Sequence, residues 1–196
     1  MGHSPLRETH SEVYSAAQRR ALLSVAEASV QHGLGTGRAL AVDPARFDEP
    51  LQAPRASFVT LKKHGGLRGC IGVLQARRAL VDDVAANAFA AAFRDPRFDP
   101  LAAHEADELS YHISVLSLPA PIAFESEADL LAQLRPGVDG LILEAEGRRG
   151  TFLPSVWETL PMREQFWSHL KRKAGLSGEY FSKDMRVLRY TTTSID

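Results

Sequence analysis

The apolar residues first recur at helical spacing. Tyr14, Ala17, Ala21, Val25 and Ala28 stand three or four apart, which predicts a helix over about 10–32 with its buried stripe on that face. Thr9 followed by Glu12 fits a capping box, and Gly33 offers a left-handed stop. The run "GLGTG" comes after this helix rather than between a strand and a helix, so it does not predict a phosphate-binding loop. A proline-punctuated connector, 44–54, leads to "ASFVTLKK", a strand by its Phe58, Val59, Thr60 and Leu61.

"HGG" then turns the chain into "LRGCIGVL", predicting a β-hairpin. Val81, Val84, Ala85, Ala88, Phe89 and Ala92 give a helix over 80–93 a small-residue face suited to lying on a sheet. "LSYHISVLSLP" alternates as a strand, with Tyr111, Ile113 and Val115 on one face and His112, Ser114 and Leu116 on the other. Further on come a short helix capped by Ser126 and Glu127 and a hairpin turning near Gly147. A helix between Pro161 and Gly175, with Met162, Phe166 and Leu170 as its buried stripe, precedes a last strand near "VLRYTTT". Strands arriving as hairpins predict an α+β fold with a largely antiparallel sheet.

Composition narrows the class. The 196 residues, 44% of them apolar, suffice for one sizeable core, and no uninterrupted apolar run reaches membrane-spanning length. With "MGHSPLRETH" lacking the order of a secretory signal, a cytoplasmic location and no membrane partner are expected. The net charge of −1 gives no general attraction to nucleic acid. Only a gathering of the nine basic residues of 148–189 on one face would make such a module.

The single cysteine, Cys70, can form neither an internal disulfide nor a thiolate-rich zinc site, and no stretch has His-x-x-x-His spacing, so no metal or cofactor is expected. In an extended strand Arg68 and Cys70 share a face, and a neighbouring guanidinium favours the thiolate. Gly69 and Gly72 mark either a bulge or a place where a ligand approaches closely. Hairpin register decides the setting. A two-residue Gly65-Gly66 turn sets Cys70 opposite Leu61, on an apolar face; a three-residue loop over 64–66 sets it opposite Thr60, with Lys62 opposite Arg68. "RDPRFDP" offers Arg97 as a clamp for a carboxylate or phosphate, or Arg-Asp pairs that fix a loop. His112 and Ser114 share a face that is either a polar edge or an assisting group.

"FVTLKKHGGLRGCIGVL", "AFRDPRFDPL", "ISVLSLP", "GVDGLIL", "GTFLPSVWE" and "LKRKAGL" occur in an order that resembles the AMMECR-type domain family, also called AmmeMemoRadiSam system protein A. The resemblance implies a domain over 12–191, with 1–11 as an N-terminal extension and 192–196 as a C-terminal tail. It implies a larger and a smaller subdomain, an antiparallel sheet flanked by helices, and a cleft beside "LRGCIG". It also implies an intracellular role beside a Memo-like protein and a radical SAM protein. Carried onto this chain, the family's positions are Leu67, Arg68, Gly69, Cys70, Ile71 and Gly72, then Asp95, Arg97 and Phe98, Ser114, Gly140, and Leu153 with Pro154. The candidate site takes Cys70 and Arg68 as reactive groups and Gly69, Gly72, Arg97 and Ser114 around a ligand. The alternative function is a cysteine-dependent enzyme acting on a small anionic substrate. Asp139 stands where many relatives carry a histidine, which places in doubt any mechanism needing an imidazole there.

Overall fold

A computed structural model describes residues 13–196. The capping box expected at Thr9 and Glu12, and the extension 1–11, lie outside those residues. Helix α1 (Ala16–Thr36) opens on Ser15, whose hydroxyl accepts the Gln18 N–H at 3.2 Å while Gln18 Oε1 accepts the Ser15 N–H at 2.9 Å. The helix runs on through Gly33, where an added Cβ would stand 2.5 Å from the Phe93 ring, and stops at Gly37 with φ 68°. Its buried stripe is Leu22, Val25, Ala26, Ser29 and Val30; Ala17 and Ala28, expected inside, are exposed.

A short α2 (Glu49–Gln52) precedes the hairpin of β1 (Ser57–Lys63) and β2 (Gly66–Gly72), and α3 (Leu80–Phe93) follows with the predicted small-residue face buried. Next come β3 (Leu109–Leu116), β4 (Ala120–Pro121), α4 (Glu127–Gln133), the hairpin of β5 (Gly140–Ala145) and β6 (Arg148–Phe152), and α5 (Arg163–Lys173). In α5 the buried residues are Phe166, Trp167, Leu170 and Lys171, whereas Met162 is exposed just ahead of the first turn. Lys171 is accepted inside because Glu127 Oε1 takes its ammonium at 2.6 Å.

The strands form two four-stranded sheets, ordered β2-β1-β3 with β8 (Thr192–Ile195), and β4 with β7 (Arg186–Tyr190), then β5-β6, all paired antiparallel. The last strand expected from sequence is therefore two strands in different sheets, and the stretch 192–196, expected as a tail, carries β8. The chain crosses between sheets at Ser117 and Thr191, and the crossings hold each other: Ser117 N–H donates to Thr191 O and Thr191 N–H to Ser117 Oγ, both at 2.9 Å. One core lies between α1, α3 and the helix side of the first sheet, and a second packs α4 and α5 on the other sheet. Ala56, Leu116, Ile142 and Tyr190 join the two halves.

Candidate functional site: a thiol and a serine in one cleft

The hairpin places the thiol by a route that neither anticipated loop provides. Its turn is two residues, His64 and Gly65, with φ of 51° and 80°, the left-handed pair that suits a tight hairpin. Regular pairing from that turn would set Cys70 opposite Val59. Instead Lys62 faces Leu67 and Leu61 faces Gly69, so Arg68 is an extra residue, a β-bulge. One inserted residue reverses the facing of everything beyond it, and Cys70 comes opposite Thr60. Thr60 Oγ1 donates to Cys70 Sγ at 3.2 Å.

That face of the first sheet forms one wall of a cleft of about 690 Å³. Phe58, Thr60, Cys70, His112, Ser114 and Ser194 line it from the sheet; Pro136, Gly137 and the turn Pro154–Glu158 line it from the other half of the molecule. The alternation read in β3 holds: Ile113 and Val115 are buried against the helices while His112 and Ser114 open to the cleft. Cys70 is half-buried, and Thr60 lies between it and His112 in the sheet. Two strand spacings, about 10 Å, thus separate the Cα atoms of Cys70 and His112. His112 is bonded elsewhere, to Ser114 Oγ through Nε2 at 3.3 Å and to Asp196 Oδ1 through Nδ1.

Other residues singled out in the sequence sit behind this wall. Gly69 faces α3, where a Cβ would stand 2.1 Å from the Ala91 carbonyl oxygen, and a Cβ at Gly72 would stand 2.3 Å from the Phe58 ring. Both are sites of close backbone approach. Arg68, displaced by the bulge, donates to both carboxylate oxygens of Glu105, at 3.1 and 2.8 Å, and to Asp99 O at 3.1 Å. Chiefly through those bonds, Glu105 is held down to about 2.

"RDPRF" clasps the outer edge of β2. Asp95, itself buried, accepts the Cys70 N–H at 2.8 Å, and Arg97 Nη2 donates to the Cys70 carbonyl at 3.3 Å. The two are tied together by Arg97 Nε to Asp95 Oδ1 at 2.9 Å and Nη2 to Oδ2 at 2.6 Å. Arg97, assisted by the Cys70 N–H, holds the Asp95 carboxyl well below the usual carboxylate range. An edge strand that would otherwise present open hydrogen-bonding groups is thereby closed by a side-chain pair. Neither Arg68 nor Arg97 is among the residues lining the cleft.

Asp139 is fully buried. Its carboxylate accepts from Arg135 N–H at 2.9 Å and Arg135 Nη2 at 2.6 Å, and its carbonyl oxygen accepts Trp157 Nε1–H at 2.7 Å. It fixes the cleft rim at Pro136 and Gly137 rather than entering the cleft. Among the described residues, no group of three or more His, Cys, Asp or Glu side chains is arranged to hold a metal ion, and no helix is long and apolar enough to cross a membrane. Sequence reasoning singled out the motif holding the Pro154–Glu158 turn without placing it at the cleft, and missed Asp196 and Ser194, which reach the site only through long-range strand pairing.

The family model AMMECR1 matches residues 23–195. The chain belongs to the AMMECR1 family. A protein of Methanothermobacter thermautotrophicus is 35% identical over 182 residues, covering 90% of this chain and 92% of that one. One from Thermotoga maritima is 34% identical over 157 residues, covering 79% and 85%. The crystal structure of the uncharacterized protein PH0010 from Pyrococcus horikoshii superposes with a TM-score of 0.76 at 30% identity, covering 88% of each chain. The AMMECR1 fold is thus the α+β arrangement described above.

Proposed function

We propose that this AMMECR1-family chain is one part of an intracellular three-component system, with a Memo-like and a radical SAM protein. Its contribution is a small-molecule-binding cleft that presents the Cys70 thiol. The observation that carries the reading is the bulge at Arg68, which turns Cys70 away from the helix-facing core and into a concave space of small-molecule size. The clasp of Asp95 and Arg97 supports it, because a backbone held by charge-assisted bonds at both its N–H and its carbonyl keeps the sulfur in place.

An enzyme using Cys70 on a small anionic substrate has less support. Among the described residues, Lys62 is the one Lys or Arg lining the cleft, and Glu158 lines it too. Iodoacetamide tests the binding reading directly, since the chain has one cysteine and each adduct reports one site. The native protein should be alkylated within about tenfold of the rate of the urea-unfolded chain. Protection of about a thousandfold would place the sulfur in the core and end the proposal. Co-purification with the Memo-like and radical SAM partners, before and after alkylation, tests the system; no association in either state counts against it.

A further inference from the structure

The cleft holds a second candidate nucleophile, and unlike Cys70 it has a base. Ser114 Oγ lies 3.3 Å from His112 Nε2, and the other ring nitrogen, Nδ1, meets Asp196 Oδ1. A carboxylate only accepts, so Nδ1 carries the proton and the lone pair of a neutral ring is left on Nε2, facing the serine hydroxyl. That is the order of groups in a serine hydrolase: hydroxyl, imidazole, carboxylate. Sheet register delivers the third member. Ile113 pairs with Ile195, so the next residue of β8's chain falls beside His112, and Ser194 falls opposite Ser114 on the same cleft face.

We propose that Ser114 is the nucleophile of an acyl-transfer reaction in this cleft, with His112 as general base and acid, Asp196 as the residue positioning the imidazole, and esters of small uncharged acids as substrates. The proposal rests on the cleft reading above. Substrate class follows from the walls: Phe58, Leu153 and Trp157 offer an apolar bed, while Lys62 and Glu158 offset one another in charge. As the bond from Ser114 Oγ to the ester carbon forms, the hydroxyl proton passes to His112 Nε2. The carbon–alkoxy bond breaks and the departing alcohol takes that proton. Water then gives a proton to Nε2 and attacks the acyl carbon, the bond to Oγ breaks, and Oγ recovers its proton. The net change is ester plus water to acid plus alcohol. Ser194, opposite Ser114 on the cleft face, brings a hydroxyl that would donate to the oxygen that gains charge.

The test uses the full chain, an alkyl fluorophosphonate that phosphonylates activated serines, and hydrolysis of p-nitrophenyl butyrate, with peptide mapping of the adduct. An adduct on Ser114 is expected, with loss of both labelling and hydrolysis in Ser114→Ala. His112→Gln should slow labelling by about 100-fold or more at an unchanged melting temperature. Asp196 is largely exposed, so Asp196→Asn should slow hydrolysis only about fivefold, and Asp196→Glu should restore it. The Asp196 pair decides the matter if His112→Gln does not fold. No adduct on Ser114, an adduct on Cys70 in its place, or labelling that His112→Gln and Asp196→Asn leave unchanged overturns the proposal. If Cys70 still alkylates readily in that event, the relay alone has failed; if Cys70 is protected as well, the cleft reading has failed with it.

Discussion

Removing the carboxylate of Asp95 should loosen the strand that carries the thiol, and its cost can be worked from the bonds it makes. Oδ2 accepts the Cys70 N–H at 2.8 Å and Arg97 Nη2 at 2.6 Å; Oδ1 accepts the Arg97 N–H at 3.1 Å and Nε at 2.9 Å. A hydrogen bond to a charged group contributes about 1.5–3 kcal/mol, but these four do not add, because the Arg97 side chain is 54% exposed and regains water when its partner goes. What cannot be recovered cheaply is the Cys70 N–H on a half-buried strand edge. Asp95→Ala should therefore cost about 2–4 kcal/mol, and Asp95→Asn, which keeps the volume and one acceptor, about 1–2 kcal/mol. With a urea slope of about 2 kcal/mol per molar, the Ala variant's midpoint should fall by about 1–2 M. Hydrogen exchange at the Cys70 amide should rise by more than exchange elsewhere in the first sheet. The carboxyl is held below its usual range in the folded state, so its stabilisation is complete above the unfolded value of about 3.9 and is lost as pH falls toward the folded one. The gap between wild type and Asp95→Asn should begin to narrow below about pH 4 and close only as pH falls on toward the folded value. A midpoint shift in the Ala variant below about 0.3 M, with the Cys70 amide still protected, would refute the clasp.

Gly69→Ala tests the seating of β2 on α3. The new methyl would meet a backbone carbonyl oxygen at 2.1 Å rather than a movable side chain, so a loss of about 3 kcal/mol and a fall in melting temperature of roughly 6–12 °C are expected. A change within about 1 °C would show that strand and helix are not in that contact. Glu105→Gln should cost about 1–2 kcal/mol near neutral pH by leaving Arg68 without its carboxylate. Because Glu105 is held down to about 2, that difference should be complete above about pH 4.3 and vanish as pH approaches 2, read by urea titrations across the range. A difference that persists at pH 2 would place its origin elsewhere.

Much of the fold was legible along the chain because it is written in local periodicity. The small-residue face of α3 and the alternation of β3 need only spacing to be read, and the structure buries Val84, Ala88, Ile113 and Val115 as that spacing requires. Errors fell where a local signal competes with a distant partner. Gly33 reads as a helix stop, yet α1 continues through it because the rings of Phe89 and Phe93 fill the space a side chain would take. Residues 192–196 read as a tail, yet β8 pairs with β3, whose sequence lies about eighty residues earlier.

The same division runs through the site. By itself the sequence determined which residue types carry the chemistry: one thiol beside an arginine, an Asp-Arg pair, and a histidine and serine on one face of a strand. Tertiary structure decided where each of them points. A single bulge at Arg68 sends the arginine to Glu105 and the thiol to the cleft, because in a pleated strand one extra residue exchanges the two faces. Pairing of β3 with β8 brings Asp196 to His112, a contact no local pattern contains because strand register is fixed by the packing of both faces at once.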